Sequence, residues 1–341
     1  FMAIDRENNF DFLRLVFSCA VIVSHSFPLT NNNEILSVLS NNQIDFGALA
    51  VDIFFIISGY LIFNSLKYSH SYVNYIWKRC LRIFPALFVM LIISLGIILI
   101  VSTNQKTFMQ RDFLTYLPNN LSLYRAQFVV NGVFKNNPYP NAINGSLWTL
   151  CYEFSMYIFL LFFFPIRNRK KVCLILLTVF FILFYTGNFV HMKLLNRWIS
   201  MLGLGSTDMY KLAPFFIAGS ILSLFNLKVI NTQLVKIVLF CLLILALIFN
   251  VYVYVAHLLM PLLIVLIGIS FDKYTNSVTH TLGDLSYGIY IYGFIIQQTL
   301  MNYFILNTYE LMLYSLISTL IIAYFSWHYV EKTSLKFKNQ F

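Results

Sequence analysis

An arginine and a histidine share one face of a strongly apolar stretch near the start of the chain. Arg14 and His25 lie eleven positions apart in "DFLRLVFSCAVIVSH". At about 100° per residue, a helix brings both side chains to the same side, roughly 16 Å apart along the axis. Ionisable residues inside apolar helices normally face a bundle interior or an aqueous cavity. There a guanidinium binds anions and an imidazole transfers protons, so the pair is a candidate functional site.

Each residue also has a purely structural interpretation. Arg14 lies near one end of the stretch, where a long cationic side chain reaches the membrane surface and anchors the helix. His25 is suited to a hydrogen bond with a neighbouring helix. The shared face favours the functional interpretation.

Two carboxylates are expected at the depth of His25. If the first helix enters from the cytoplasm, His25 lies roughly 20 Å into a hydrocarbon layer about 30 Å thick. Helices running the opposite way place Glu153 roughly 10 Å and Asp52 roughly 9 Å below the outer surface. A carboxylate beside an imidazole fixes its tautomer and stabilises its protonated form. The three residues predict a general base that acts on a hydroxyl, and an ion pair that only joins helices is the alternative.

The elements that must position these residues are transmembrane helices. The 341-residue chain is 59% hydrophobic and only 11% charged, with repeated apolar runs of about 20 residues. This composition excludes a disordered chain and is rare in soluble domains. The net charge of +10 lies in short blocks between apolar runs, so nucleic acid is not an expected partner. The five cysteines lack metal-ligand spacing, and no metal is predicted.

The apolar runs predict an all-α polytopic membrane protein of about ten transmembrane helices. The predicted spans are 10–27, 46–66, 83–102, 144–164, 172–190, 210–226, 234–254, 257–271, 283–305 and 309–330. The positive-inside rule places both termini in the cytoplasm, because most of the 23 Lys and Arg residues then lie inside. The loop 103–143 is the longest and is expected outside, where long loops are often functional. One transmembrane domain, 1–341, is predicted, with no soluble second domain.

Five motifs in order resemble the acyltransferase-3 family of bacterial integral membrane O-acyltransferases. They are "RLVFSCAVIVSH", "VDIFFIISGYL", "RCLR", "NGSLWTLCYEF" and "LGDLSYGIYIYG". The resemblance covers residues 10 to about 331. Many family members have His at the position of Gly293, so that position is left out of the mechanism.

The resemblance implies a multi-pass enzyme of the bacterial inner membrane, of the stand-alone type without a C-terminal SGNH domain. Family members take an acyl group, usually acetyl, from cytoplasmic acyl-coenzyme A. They deliver it to a hydroxyl of a cell-surface glycan or its lipid-linked precursor. Acetyl-CoA, the glycan acceptor and membrane lipids are therefore the expected partners. A transporter or flippase for a lipid-linked glycan or small metabolite is the alternative, although no inverted repeat supports it.

Three arginines are expected to bind the phosphates of coenzyme A. Arg14, Arg79 and Arg82 lie near the cytoplasmic face in the predicted topology, and guanidinium groups bind phosphate bidentately. Ordinary positive-inside charge is the alternative for Arg79 and Arg82. The Arg14–His25 spacing is comparable to an extended pantetheine arm, which places the thioester near His25. There His25 either deprotonates the acceptor or first takes the acyl group itself.

Small and aromatic residues complete the predicted site. Ser58 and Gly59 are expected to let the cofactor lie against backbone, with simple helix packing as the alternative. The candidates for binding the acceptor are Trp148, Tyr152, Asn120 and Tyr124. The two residues of the fourth span provide aromatic surfaces for a sugar, or else anchor the helix at the interface. The other two lie in the long outer loop.

Overall fold

The computed structural model describes residues 8–102, 107–190, 192–338 and 340. Their regular secondary structure is helical, apart from one isolated β-bridge between Val129 and Ala142. The α-helices are α1 Phe10–Ser26, α2 Ile35–Leu39, α3 Phe46–Lys67, α4 Tyr72–Val101, α5 Arg111–Leu121, α6 Leu150–Leu161, α7 Lys170–Gly187, α8 Lys193–Met201, α9 Ser206–Leu222, α10 Gln233–Ile248, α11 Tyr252–Gly268, α12 Lys273–Leu282, α13 Ser286–Tyr303, α14 Thr308–Phe325 and α15 Lys332–Ser334. A 3₁₀ turn, Gly145–Thr149, precedes α6, and a π-helical turn, Ser326–Glu331, follows α14.

A helix lies at each of the ten predicted spans, but fewer are long enough to cross a membrane. Within the described ranges, five helices meet that requirement by length and composition: Phe10–Thr30, Phe46–Lys67, Tyr72–Val101, Lys170–Gly187 and Thr308–Phe337. A sixth arises if α11 and the start of α12, bent by 76°, form one broken span. Helix α6 has only 12 residues, because a 3₁₀ turn precedes it and a second one containing Pro165 follows it.

Helix α4 begins eleven residues before the predicted third span. Ser71 caps its N-terminus by accepting a hydrogen bond from the backbone N–H of Asn74. Its first turns carry Lys78, Arg79 and Arg82, so a hydropathy pattern detects only the apolar part that follows. The cations are therefore fixed on a 30-residue helix, which holds them in place more firmly than a loop would.

Helix α3 lies at the centre of the bundle and packs most extensively against α9. Two glycines bring the backbones into contact, since a Cβ on Gly59 would lie 1.9 Å from the carbonyl oxygen of Phe216. A Cβ on Gly219 would lie 2.2 Å from the carbonyl oxygen of Ile56. Gly59 thus has the packing role kept as the alternative, and its face is covered by α9, where no cofactor can lie against it.

The glutamines of α13 fix its neighbours. Gln297 donates from its amide to the carbonyl oxygen of Ile22 at 2.8 Å and to the hydroxyl of Ser26 at 2.9 Å. Gln298 donates to the carbonyl oxygen of Ala142 at 2.8 Å and accepts a bond from Asn137 at 2.8 Å. The part of the predicted long loop that contains Asn137 and Ala142 therefore folds back onto the bundle. The predicted loop 103–143 also contains α5, and its residues 103–106 lie outside the described residues.

Candidate functional site

Two cavities of opposite charge meet inside the bundle. The first, here called the cationic cavity, has a volume of about 350 Å³. Its charged lining residues are Arg14, Lys78, Arg79, Arg82, Lys338, Glu153 and Asp284. The second, the His25 cavity, has a volume of about 910 Å³ and is lined by His25 and Lys211 together with four carboxylates: Glu34, Asp45, Asp52 and Asp208. Of the described residues, Val51 and Tyr290 alone line both cavities.

Arg82 is an ion-paired member of the wall of the cationic cavity. Its guanidinium lies 2.6 Å from a carboxylate oxygen of Asp284 and 3.4 Å from one of Glu331. Two carboxylates thus surround one guanidinium, which leaves Arg82 poorly placed to act as a free phosphate ligand. The phosphate-binding role predicted for Arg82 is therefore less suited to it than to the cations without ion pairs.

The other cations of this cavity have no carboxylate partner within the described parts of the chain. Arg14, Lys78, Arg79 and Lys338 form no ion pair there. Arg79 donates to the hydroxyl of Ser65 at 3.1 Å, and its buried Nε has no hydrogen-bond partner among the described residues. Five cations and two carboxylates line this cavity, and the excess of positive charge suits a multiply charged anion.

Glu153 lies in the cationic cavity and does not pair with His25 as predicted. Its carboxylate accepts hydrogen bonds from the hydroxyls of Ser58, at 2.9 Å, and Tyr157. Ser58 also lines this cavity. The depth estimate treated the chain from Ser146 onwards as α-helix, but Gly145–Thr149 forms a 3₁₀ turn, which rises roughly 2 Å per residue where an α-helix rises roughly 1.5 Å. Glu153 and His25 line different cavities.

His25 and Asp52 line the same cavity, from α1 and α3 respectively. The imidazole packs edge-on against the ring of Phe294, with centroids 5.2 Å apart. Its buried Nδ1 has no hydrogen-bond partner among the described residues, and the same holds for Oδ1 of Asp52, a side chain only 2% exposed. Both groups retain the capacity to bind a ligand, although they make no hydrogen bond to each other.

Of the four predicted acceptor-binding residues, only Trp148 lines a cavity. It borders the His25 cavity and an aromatic cavity of about 560 Å³ next to it. The Tyr152 hydroxyl donates to Asp208 at 3.0 Å and accepts from the N–H of Gly205 at 2.9 Å. Tyr152 therefore positions the N-terminus of α9.

The two predicted loop contacts belong to the internal structure of the protein. The amide of Asn120, a side chain only 3% exposed, bonds to backbone atoms of Tyr116 and Gln127. The hydroxyl of Tyr124 lies 2.9 Å from that of Ser155. Neither residue lines any of the three cavities.

Sequence reasoning missed several residues of the site. Tyr157 could have been predicted from the sequence, because it follows Glu153 by four positions and so lies on the same face of the helix. The hydroxyl of Tyr290 lies 2.6 Å from that of Thr149, a contact between residues 141 positions apart that no local pattern reveals. Lys211 and Asp208 reach the His25 cavity from α9, where their role likewise depends on tertiary packing.

Residues 7–328 match the model of a family described as an acyltransferase domain. The chain belongs to this acyltransferase-3 family. It is 30% identical to an O-acetyl transferase of Shigella phage Sf6, over 97% of this chain and 96% of the relative. It is 26% identical to Nodulation protein 10 of Rhizobium leguminosarum bv. viciae, over 97% of this chain and 94% of that relative. No solved structure matches the chain.

As an acyltransferase-3 protein, the chain is an enzyme of acyl transfer with helices apolar enough for a multi-pass membrane protein. These matches favour acyl transfer over the transporter or flippase alternative. The matched residues contain all of the described lining of the His25 cavity, and all of that of the cationic cavity except Leu335 and Lys338.

Proposed function

We propose that this protein transfers an acyl group, acetyl in particular, from acyl-coenzyme A to a hydroxyl of a cell-surface glycan or its lipid-linked precursor. One observation carries the proposal: a cation-lined cavity and a histidine-containing cavity adjoin within an acyltransferase-3 chain. The name of the relative from Shigella phage Sf6 supports acetyl as the group transferred. The charge distribution supports a location in the bacterial inner membrane with the cationic cavity towards the cytoplasm.

The cationic cavity suits the nucleotide end of the donor. Coenzyme A carries several phosphate charges, and Arg14, Arg79 and two lysines surround this space without carboxylate partners among the residues described. A guanidinium donates two parallel hydrogen bonds to a phosphate, which gives both affinity and orientation. The apolar residues Phe54, Leu61 and Ile62 line the same cavity and suit the uncharged pantetheine arm.

In the proposed reaction, His25 accepts the proton of the acceptor hydroxyl while that oxygen attacks the carbonyl carbon of the thioester. The carbon–sulfur bond then breaks, and the proton passes to the thiolate to give free coenzyme A. The carboxylates of Asp45 and Asp52 line the same cavity, and in this proposal they stabilise the imidazolium, since a carboxylate favours the charged ring. Trp148, at the border of that cavity, provides the surface for the sugar.

The experiment supplies membranes that contain the protein with acetyl-CoA labelled in the acetyl group. The label that enters glycan or glycolipid is then measured. We expect transfer by the wild-type protein and loss of transfer in His25→Ala, with His70→Ala as a control because His70 is exposed and lines none of the cavities. Absence of transfer by the wild type would overturn the function. Full activity of a folded His25→Ala protein would overturn the role of the histidine.

A further inference from the structure

Val51 of α3 and Tyr290 of α13 separate the cationic cavity from the His25 cavity. Each side chain is 7% exposed, and within the described chain they are the residues common to both linings. The aromatic cavity beside His25 shares no lining residue with the cationic cavity. Val51 and Tyr290 therefore form the boundary between the two cavities, here called the constriction.

Both side chains at this constriction are held in place. The hydroxyl of Tyr290 forms a hydrogen bond with that of Thr149. The ring of Tyr290 packs edge-on against that of Phe54, with centroids 5.9 Å apart. Val51 is β-branched and sits inside α3, where one χ1 rotamer is strongly preferred. Two restrained side chains adjust little to a group placed between them, so its fit at the constriction depends on its size.

We infer that Val51 and Tyr290 form the passage through which the acyl group reaches His25, and that they restrict it to short acyl chains. This inference rests on the proposed function, in which the donor phosphates and the reacting histidine occupy different cavities. It adds a specificity determinant that the motifs do not contain. One methylene group in a shaped apolar site changes the ratio of the kcat/KM values for two substrates by about tenfold or more. An effect of this size at the constriction is enough to select acetyl over butyryl.

The test compares acetyl-, propionyl- and butyryl-CoA as donors for the membrane-embedded protein, with acyl label entering glycan or glycolipid as the readout. Val51→Ala removes two methyl groups from the constriction, and we expect the butyryl-to-acetyl rate ratio to rise about tenfold. Tyr290→Phe keeps the ring but frees it from Thr149, and we expect a smaller rise. Val21→Ala is the matched control: Val21 is equally buried but lines only the His25 cavity, so the ratio should stay at the wild-type value.

The outcomes are separable. If the wild type transfers acetyl while Val51→Ala and Tyr290→Phe both keep its donor ratio, the passage is overturned and the proposed function stands. If Val21→Ala changes the ratio as much as Val51→Ala, the selectivity does not reside at the constriction. If the wild type transfers no acyl group from any donor, it is the proposed function that fails.

Discussion

The guanidinium of Arg82 lies 2.6 Å from the carboxylate of Asp284, although the two residues are 202 positions apart. This ion pair joins α4 to the segment that leads into α13. The contact of Arg82 with Glu331, at 3.4 Å, adds the π-helical turn after α14. One cation thus holds together three elements that surround the cationic cavity.

Removing the charge of Asp284 should destabilise the protein. In Asp284→Asn, Arg82 loses its shorter ion pair in a largely buried setting, and we expect a cost of about 3 kcal/mol. The measurement is the melting temperature of the solubilised protein, compared with Arg111→Gln, which removes an exposed charge and should melt like the wild type. An unchanged melting temperature in Asp284→Asn would contradict the structural role of the pair.

Arg14 should contribute directly to donor binding. Because it has no carboxylate partner among the described residues, Arg14→Gln removes a charge-assisted contact without leaving a carboxylate unpaired. We expect about tenfold weaker binding of coenzyme A. The readout is the rise in melting temperature as coenzyme A is added, since a ligand that binds only the folded state stabilises it by mass action. The same rise in Arg14→Gln and the wild type would count against the phosphate site.

Gln297 should act as a positioning residue for His25. Its amide bonds to Ile22 and Ser26, which flank the histidine on α1. Gln297→Met removes both bonds at similar volume, and we expect a loss of about 1–2 kcal/mol in stability. We also expect kcat to fall while KM for acetyl-CoA is unchanged, because the donor cavity lies elsewhere. A rise in KM without a change in kcat would be inconsistent with this role.

Gly59→Ala should disrupt the contact between α3 and α9. A Cβ at Gly59 meets the backbone of Phe216, which cannot move away as a flexible side chain would. Gly96→Ala is the matched control, since a Cβ there meets nothing within 4 Å, and alanine in a helix is favoured over glycine by roughly 0.5–1 kcal/mol. We expect a large drop in melting temperature for the first variant and none for the second. Equal melting temperatures would exclude close packing at Gly59.

Local periodicity predicted the part of the site that one helix determines. Arg14 and His25 lie on α1 and line adjoining cavities, as their eleven-residue spacing on a helix requires. The depth predicted for Asp52 placed it level with His25, and the two residues line the same cavity. The depth could be calculated from a constant rise per residue because α3 is regular from Phe46 onwards. These features depend on helix geometry alone.

Predictions that depended on contacts between helices were less successful. Glu153 lines the cationic cavity and not the His25 cavity, and the pairing of Arg82 with Asp284 depends on how α4 meets the segment before α13. Asn120 looked like an exposed loop amide, but its segment folds inward and uses that amide internally. A helix lies at each of the ten apolar runs, but only five of the described helices, or six with the bent pair, are long and apolar enough to cross a membrane. Helix α6 is one of the shorter ones, with 12 residues.

The hydrogen bonds between Asn137 and Gln298 link positions 161 residues apart, and they have a consequence for biosynthesis. During translation, Arg82 and Asn137 enter the membrane environment long before their partners have been made. Asp284 and Tyr290, which line the cavities, are made together with α13, as are the glutamines that bond to α1 and to Asn137. The nascent chain therefore carries polar groups without their native partners until α13 has been made, and both cavities are completed late in synthesis.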